Sequence, residues 1–281
     1  MKSRTRPDWI LLTIYCLIFF AFIYLPLGVV IVYSFNSNPF DMTTWQSFTL
    51  DWYLGLFGVD DDSSGLNASA IYIDSTDQIL AALRNSLIVA TSTTFISTLI
   101  GTATAVAMSR FKFRLRNTYQ GVMMLPMMMP DVVLGIGLLI FFVTLGFQLG
   151  LLTIIIGHCT FLSSYVFIVV QARMSALDPA LEEASADLGA NEWVTFKKVL
   201  LPQLMPGIIG GALLAFIISM DDLVITYFVA GTDSTTLPMF IFSMIRRGVK
   251  PEINAIATLL ILASLIIAAV GLYIRSRKVE L

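Results

Sequence analysis

The chain has 281 residues, of which 57% are hydrophobic and 13% are charged, with a net charge of −2 and a mean hydropathy of +0.84. A soluble domain carries about 25% charged residues, so this composition argues against a soluble enzyme and indicates a protein embedded in a lipid bilayer. Neither nucleic acid nor a metal is expected as a partner.

Six apolar runs are long enough to cross a bilayer as helices, which takes roughly 20 residues each. In chain order, they cover residues 10–34, 84–109, 119–146, 149–170, 206–230 and 254–274. Backbone polar groups cannot stay unpaired in lipid, so each run is predicted to be helical. The predicted fold class is therefore all-α: a polytopic membrane protein with about six spans that form one transmembrane domain over residues 1–281.

The basic residues are distributed unequally between the predicted loops. With a cytoplasmic N-terminus, 13 of the 17 lie in cytoplasmic segments, namely Lys2, Arg4, Arg6, Arg110, Lys112, Arg114, Arg116, Arg173, Lys197, Lys198, Arg275, Arg277 and Lys278. The segment 35–83 contains seven Asp and neither Lys nor Arg. The positive-inside rule therefore predicts that both termini are cytoplasmic and that 35–83 is an external loop.

Two further connections and one span have informative patterns. The connection 147–150 is short, so spans three and four are predicted to form a tight antiparallel hairpin. The stretch Leu237–Arg247 is apolar and then basic, which favours a helix lying along the membrane surface. Span three contains residues that allow a helix to bend, namely Pro126, Pro130, Gly135 and Gly137.

The cytoplasmic loop 171–205 carries strong local signals for helix ends. Asp178-Pro179 is typical of a helix start, and Gly189 is typical of a helix end. Asn191 is a suitable cap for a second helix, and Pro202 and Pro206 mark the entry to span five. We therefore expect two short amphipathic helices that meet at a bend. Neither is long enough to be stable alone, so they need a surface to pack against.

At this loop the sequence resembles the permeases of ABC importers. Their cytoplasmic motif is matched in spacing by Glu183-Ala184-Ser185, then Gly189, then Val199-Leu200-Leu201-Pro202, with Ser185 and Val199 as conservative departures. Resemblance to the second permease of spermidine/putrescine systems extends over most of the chain. It is carried by Tyr33-Ser34-Phe35-Asn36, Leu125-Pro126, Met129-Pro130-Asp131, Ser219-Met220-Asp221-Asp222-Leu223-Val224 and Pro251-Glu252-Ile253-Asn254-Ala255.

The resemblance implies a type I ABC importer permease fold in a bacterial inner membrane, and a transport subunit that imports polyamines by alternating access. It also implies a homologous second permease, two ATP-binding subunits and an external substrate-binding protein as partners. The coupling helix that contacts an ATP-binding subunit would involve Glu182, Glu183, Ala184, Ser185, Asp187, Gly189, Leu201 and Pro202. The chain has no G-x-x-x-x-G-K-[ST] phosphate loop, so ATP is expected to be bound by the partners, and no cofactor or enzymatic activity is expected here.

Charged residues inside the predicted spans indicate a pathway through the membrane. Asp131 and Asp221 are expected about 18 Å and about 21 Å from the cytoplasmic side. A carboxylate in a bilayer costs roughly 2.5–3.5 kcal/mol, which a cationic substrate offsets. We therefore predict that Asp131, Asp221, Asp222 and Tyr227 contribute to the pathway. The same carboxylates are also suited to capping broken helices, and His158 to an interhelical hydrogen bond.

Two alternative functions stay open at this point. The first is an ABC permease for another solute, such as an opine, an amino-acid-like solute or an anion, because the coupling motif does not specify the substrate. The second is a secondary transporter that relays ions through its carboxylates. Such a transporter usually has internal repeats, which the two halves of this sequence do not show.

Overall fold

A computed structural model of the chain describes residues 6–38, 44–56, 69–111, 113–247, 253–259, 261–262 and 265–266. The chain forms two compact units. One consists of residues 1–77 and 241–281, and the other consists of residues 78–240. Regular structure in the described residues is helical, apart from an isolated antiparallel bridge between Asn36 and Phe48. The prediction of a single transmembrane domain over 1–281 stays a prediction.

The helices are numbered in chain order. Their bounds are α1 Arg6–Tyr33, α2 Asp51–Leu56, α3 Ser69–Arg110, α4 Arg116–Met128, α5 Asp131–Thr144, α6 Leu151–Ser175, α7 Ala180–Asp187, α8 Glu192–Thr195, α9 Leu201–Asp221, α10 Val224–Val229 and α11 Leu237–Arg247.

Apolar length predicted most of the spans. Among the described residues, four helical stretches are long and apolar enough to cross a membrane, namely Trp9–Tyr33, Asp77–Arg110, Leu151–Ser175 and Glu192–Asp221, and the bent pair α4–α5 makes up to five. The predicted sixth span, 254–274, lies largely outside the described residues, although 253–259 are helical. The predicted helix Leu237–Arg247 is confirmed as α11.

The first unit carries an ordered segment after α1. The ring nitrogen of Trp52 donates to the carbonyl oxygen of Asn36 at 2.8 Å, and the side-chain amide of Asn36 donates to the carbonyl oxygen of Thr44 at 2.9 Å. The hydroxyl oxygens of Ser34 and Tyr53 lie 2.6 Å apart. The predicted external segment 35–83 therefore contains helix α2 and, from Ser69, the start of α3, and its external location stays a prediction.

Span three is broken rather than merely bent. The prediction of one helix over 119–146 is wrong, because α4 and α5 meet at 105° across Met129 and Pro130. Proline removes a backbone donor and disfavours helical geometry in the preceding residue, and Met129 is accordingly extended, with φ −77° and ψ 142°. Pro126 lies within α4, so Pro130 marks the break.

Span five begins and ends earlier than its predicted bounds, 206–230. The second predicted short helix is not separate, because α8 continues through one π-helical turn, Phe196–Leu200, into α9. The N–H of Leu201 donates to the carbonyl oxygen of Phe196, five residues back. At its other end the helix stops at Asp221, and α10 follows as a separate short helix.

Small residues bring the central helices of the second unit close together. A stripe of buried positions at intervals of four residues lies along α9, formed by Gly207, Gly211, Ala215 and Ser219. A Cβ atom at Gly211 would lie 3.3 Å from the side chain of Val166 on α6. Helices in membranes associate through such close backbone approach. The stripe fixes α9 against α6 and leads directly to the break after Asp221.

Candidate substrate pathway and coupling helix

Asp222 occupies the break between α9 and α10 and caps the start of α10. Its backbone is extended, and its Oδ2 accepts from the N–H and the hydroxyl of Thr226 at 2.8 and 2.9 Å. Its Oδ1 accepts from the N–H of Ile225 at 3.4 Å. An aspartate before a helix satisfies backbone donors that would otherwise lack partners. The break is therefore stabilised by the side chain at the break itself.

His158 links α6 to both sides of the break. It is fully buried, with Nδ1 2.8 Å from the hydroxyl oxygen of Ser219 and Nε2 3.1 Å from Oδ2 of Asp222. Nε2 also lies 3.0 Å from the hydroxyl oxygen of Thr226. In the tautomer that carries its hydrogen on Nε2, the imidazole donates to Asp222 and accepts at Nδ1 from the hydroxyl of Ser219, while the hydroxyl of Thr226 donates to Asp222. The expected interhelical hydrogen bond of His158 is present and is part of a four-residue network.

The other two aspartates are in a different chemical situation. Asp221 ends α9 and Asp131 begins α5 after the Pro130 break, and both side chains are exposed. Within the described part of the chain, neither carboxylate forms a hydrogen bond or an ion pair. Tyr227 on α10 is 48% exposed, with its ring 6.0 Å from that of Phe228. Asp222 thus differs in burial and hydrogen bonding from the three other predicted pathway residues.

Helix α10 packs against both α5 and α6. A Cβ at Gly135 of α5 would lie 2.6 Å from the ring of Phe228, and one at Gly157 of α6 would lie 3.5 Å from the side chain of Ile225. The hydroxyl of Thr153 on α6 donates to the carbonyl oxygen of Val229 at the end of α10. The two broken regions, around Pro130 and around Asp222, are therefore connected through the packing of α5 on α10.

The predicted coupling segment has the expected helix ends. The N–H of Ala180 donates to Oδ1 of Asp178 at 2.9 Å, which confirms the start of α7 within one residue. Gly189 has φ +80° after the end of α7, a conformation that glycine adopts without strain. The side chain of Asn191 accepts from the N–H of Val194 at 2.9 Å, as predicted for the second cap.

Most side chains of this segment are exposed. Leu188 is 90% exposed and Trp193 is 69% exposed. Neither was among the predicted coupling residues. Of those, Glu183, Ala184, Asp187, Gly189 and Pro202 are exposed, whereas Glu182, Ser185 and Leu201 are half-buried. The sequence did not predict the ion pair between Glu182 and Arg110 at the end of α3, with 2.6 Å between Oε2 and Nη2. No local pattern marks a contact between residues so far apart in the chain.

Two broken apolar helices, one of them around a buried polar network, together with an exposed helix-turn-helix segment, are features of a membrane transport subunit. The chain belongs to the family of binding-protein-dependent transport system inner membrane components, whose model matches residues 80–277. It is therefore an inner membrane transport permease, which confirms the predicted class of protein.

The chain is also similar to individual permeases over most of its length. It is 37% identical over 261 residues to the spermidine/putrescine transport system permease protein PotC of Escherichia coli K12, which covers 93% of this chain and 92% of PotC. It is 38% identical over 279 residues to the putrescine transport system permease protein PotI of the same strain, which covers 97% of this chain and 92% of PotI.

Solved structures support the predicted fold. A chain of a bacterial ABC transporter involved in the import of the acidic polysaccharide alginate matches with a TM-score of 0.70 at 15% identity, covering 97% of this chain and 99% of that chain. A chain of the MetNI methionine ABC transporter matches with a TM-score of 0.59 at 20% identity, covering 70% and 95%. The chain therefore has the fold of ABC importer permeases.

Proposed function

We propose that this chain is one permease subunit of an ATP-driven importer of the polyamines spermidine and putrescine. The observation that carries the proposal is the similarity to PotC and PotI, at 37% and 38% identity over more than nine tenths of each chain. The proposed transporter contains a second, homologous permease, two ATP-binding subunits and an external substrate-binding protein. Both termini of the chain lie in the cytoplasm.

The proposed pathway uses Asp131, Asp221 and Tyr227, whereas Asp222 is structural. The oxygens of Asp222 already accept from His158, Thr226 and Ile225. Those of Asp131 and Asp221 accept no hydrogen bond from the described residues and stand free for ammonium groups. A carboxylate within a bilayer normally faces a cavity or a partner. A polyamine with two or more ammonium groups can neutralise two such carboxylates as it passes.

The proposed coupling element is α7 with the turn at Gly189 and the start of α8. Its exposed leucine and tryptophan side chains, Leu188 and Trp193, are suited to packing against an ATP-binding subunit. Glu183, Ala184 and Asp187 are exposed beside them. In this arrangement the substrate pathway and the ATP-binding subunit are joined by the continuous helical stretch of α8 and α9, Glu192–Asp221.

The test is uptake of labelled spermidine and putrescine by reconstituted complexes, normalised to assembled complex. Asp131→Asn and Asp221→Asn keep the size of the side chain and remove its charge. A charge-assisted hydrogen bond is worth about 1.5–3 kcal/mol, so each variant should reduce uptake by roughly ten-fold or more. The matched control is Asp77→Asn, an exposed aspartate at the far end of the α3 span, which should transport normally.

Two outcomes contradict different parts of the proposal. Wild-type uptake of an amino acid or an anionic solute, but of neither polyamine, contradicts the substrate. Normal polyamine uptake by both assembled variants contradicts the pathway residues and leaves the substrate standing.

A further inference from the structure

Helix α7 has very little apolar attachment to the rest of the chain. None of its residues is buried, so packing contributes little to its position. Among the residues that the structure describes, two polar side-chain contacts connect it to neighbouring helices, one through Glu182 and one through Ser185. The orientation of such a helix depends on these contacts because few others oppose a change in its tilt.

The first contact is the ion pair between Glu182 and Arg110. Arg110 is the last residue of α3 and Glu182 lies in the first turn of α7, so each charge also interacts favourably with the dipole of its own helix. The side chains are only 24% and 36% exposed, and Nε of Arg110 is buried without a hydrogen-bond partner among the described residues. The neighbouring Glu183 is exposed. The two glutamates thus face different surroundings, and Glu182 is the one directed to α3.

The second contact joins α7 to the helix that follows. The hydroxyl oxygens of Ser185 and Thr195 lie 2.9 Å apart, and Thr195 is buried at the end of α8. Because α8 continues into α9, this contact fixes α7 to the long helix that ends at Asp221. Helix α7 is therefore held by α3 through one side chain and by α8–α9 through another.

We propose that Arg110 is a positioning residue for coupling, which holds the coupling helix on α3 through Glu182. When α3 and α9 change their relative angle, the two contacts turn α7 and with it the surface that meets the ATP-binding subunit. This inference rests on the proposed role of α7. It adds a residue of a membrane-spanning helix, outside the coupling loop, to the machinery that links ATP hydrolysis to transport.

The experiment compares Arg110→Glu, Glu182→Arg and the double variant Arg110→Glu/Glu182→Arg in the complete reconstituted transporter. Uptake of spermidine and ATP hydrolysis stimulated by the binding protein are measured on the same vesicles, and their ratio is the readout. Each single reversal should lower the uptake per ATP by about five-fold, the ratio that corresponds to the upper end of the range for solvent-exposed ion pairs. Arg114→Glu, at an exposed arginine in the connection between α3 and α4, is the matched control and should leave the ratio unchanged.

The double variant decides between a specific pair and a general effect of charge. Uptake per ATP by the double variant should be about three-fold higher than by either single variant. Rescue is partial because each reversed charge then lies at the unfavourable end of its helix. A double variant that is as poor as the product of the single variants overturns the inference, as does a normal ratio in both single variants. If the reversals prevent assembly, uptake per ATP is measured instead for the milder variants Glu182→Gln and Arg110→Lys. The inference requires uptake per ATP to be lower for Glu182→Gln than for Arg110→Lys.

The wild-type complex separates this inference from the proposed function. Absence of polyamine uptake by the wild type contradicts the proposed function. Normal wild-type uptake without rescue in the double variant contradicts only the positioning role of Arg110.

Discussion

Replacement of Asp222 by alanine removes the group that caps α10 and binds His158 at the same time. We expect Asp222→Ala to lower the thermal stability of the folded chain substantially. The neighbouring Asp221→Ala removes the same side chain from an exposed position without a hydrogen-bond partner in the described part of the chain, and should lower it little. The comparison isolates the hydrogen-bond network from the general effect of losing a carboxylate.

The magnitude follows from the partners that Asp222→Ala leaves behind. The N–H of Thr226 loses its acceptor, and a buried donor without a partner costs about 1–3 kcal/mol. That donor is the one that the helix cap satisfies, and loss of a cap costs about 1 kcal/mol, so the two costs describe one interaction and are not added. Nε2 of His158 and the hydroxyl of Thr226, 3.0 Å apart, can still pair with each other, so the total is about 1–3 kcal/mol. At roughly 2 °C per kcal/mol for a chain of this length, the melting temperature should fall by about 2–6 °C.

In the assay, a fluorescent fusion is heated in detergent, and size-exclusion chromatography then measures the fraction of protein that stays monodisperse. Asp222→Asn keeps one acceptor oxygen for Thr226 and should fall between Asp222→Ala and the wild type. Equal melting temperatures for Asp222→Ala and Asp221→Ala would refute the structural role of the network. A larger loss in Asp221→Ala would reverse the assignment of the two aspartates.

Two other predictions concern coupling and topology. Gly189→Val places a β-branched residue at φ +80°, which costs about 1–2 kcal/mol. This variant should reduce both co-purification of the ATP-binding subunit and uptake. Asparagine tolerates this conformation better, so Gly189→Asn should retain more of both. Normal co-purification together with normal uptake in Gly189→Val would contradict the role of the turn. Cysteines introduced at 60–65 should react with an impermeant reagent in intact cells, and protection until lysis would contradict the external location of that loop.

The spans could be predicted from the sequence because the requirement for apolar length in a bilayer is a local property. Spans one, two, four and five are long apolar helices in the structure. The errors occurred where a helix breaks inside an apolar run. The sequence indicated flexibility around Pro130, but not that α4 and α5 would meet at 105°, because the angle depends on how α5 packs against α10.

The coupling segment was predictable for a similar reason, because helix caps are local. Asp178, Gly189 and Asn191 form the turn and cap contacts expected of their residue types. Continuity of α8 with α9 was not predicted, since Pro202 is also typical of a helix start. A π-helical turn before Pro202 carries the helix onward, and the hydrogen-bond pattern of such a turn has no simple sequence marker.

The pair Asp221-Asp222 shows how a residue on another helix decides where a membrane helix ends. On a continuous helix the two side chains would point about 100° apart, and each could face a different part of the pathway. In the structure α9 ends between Asp221 and Asp222, because the side chain of Asp222 caps α10 and also forms a hydrogen bond with His158 of α6. Aspartate is a common cap in any sequence, but in an apolar run its charge needs a buried donor, and His158 supplies one from 64 residues away. On the proposed pathway, Asp131 and Asp221, each located at a helix break, are the carboxylates that stay without a hydrogen-bond partner among the described residues and can bind a polyamine.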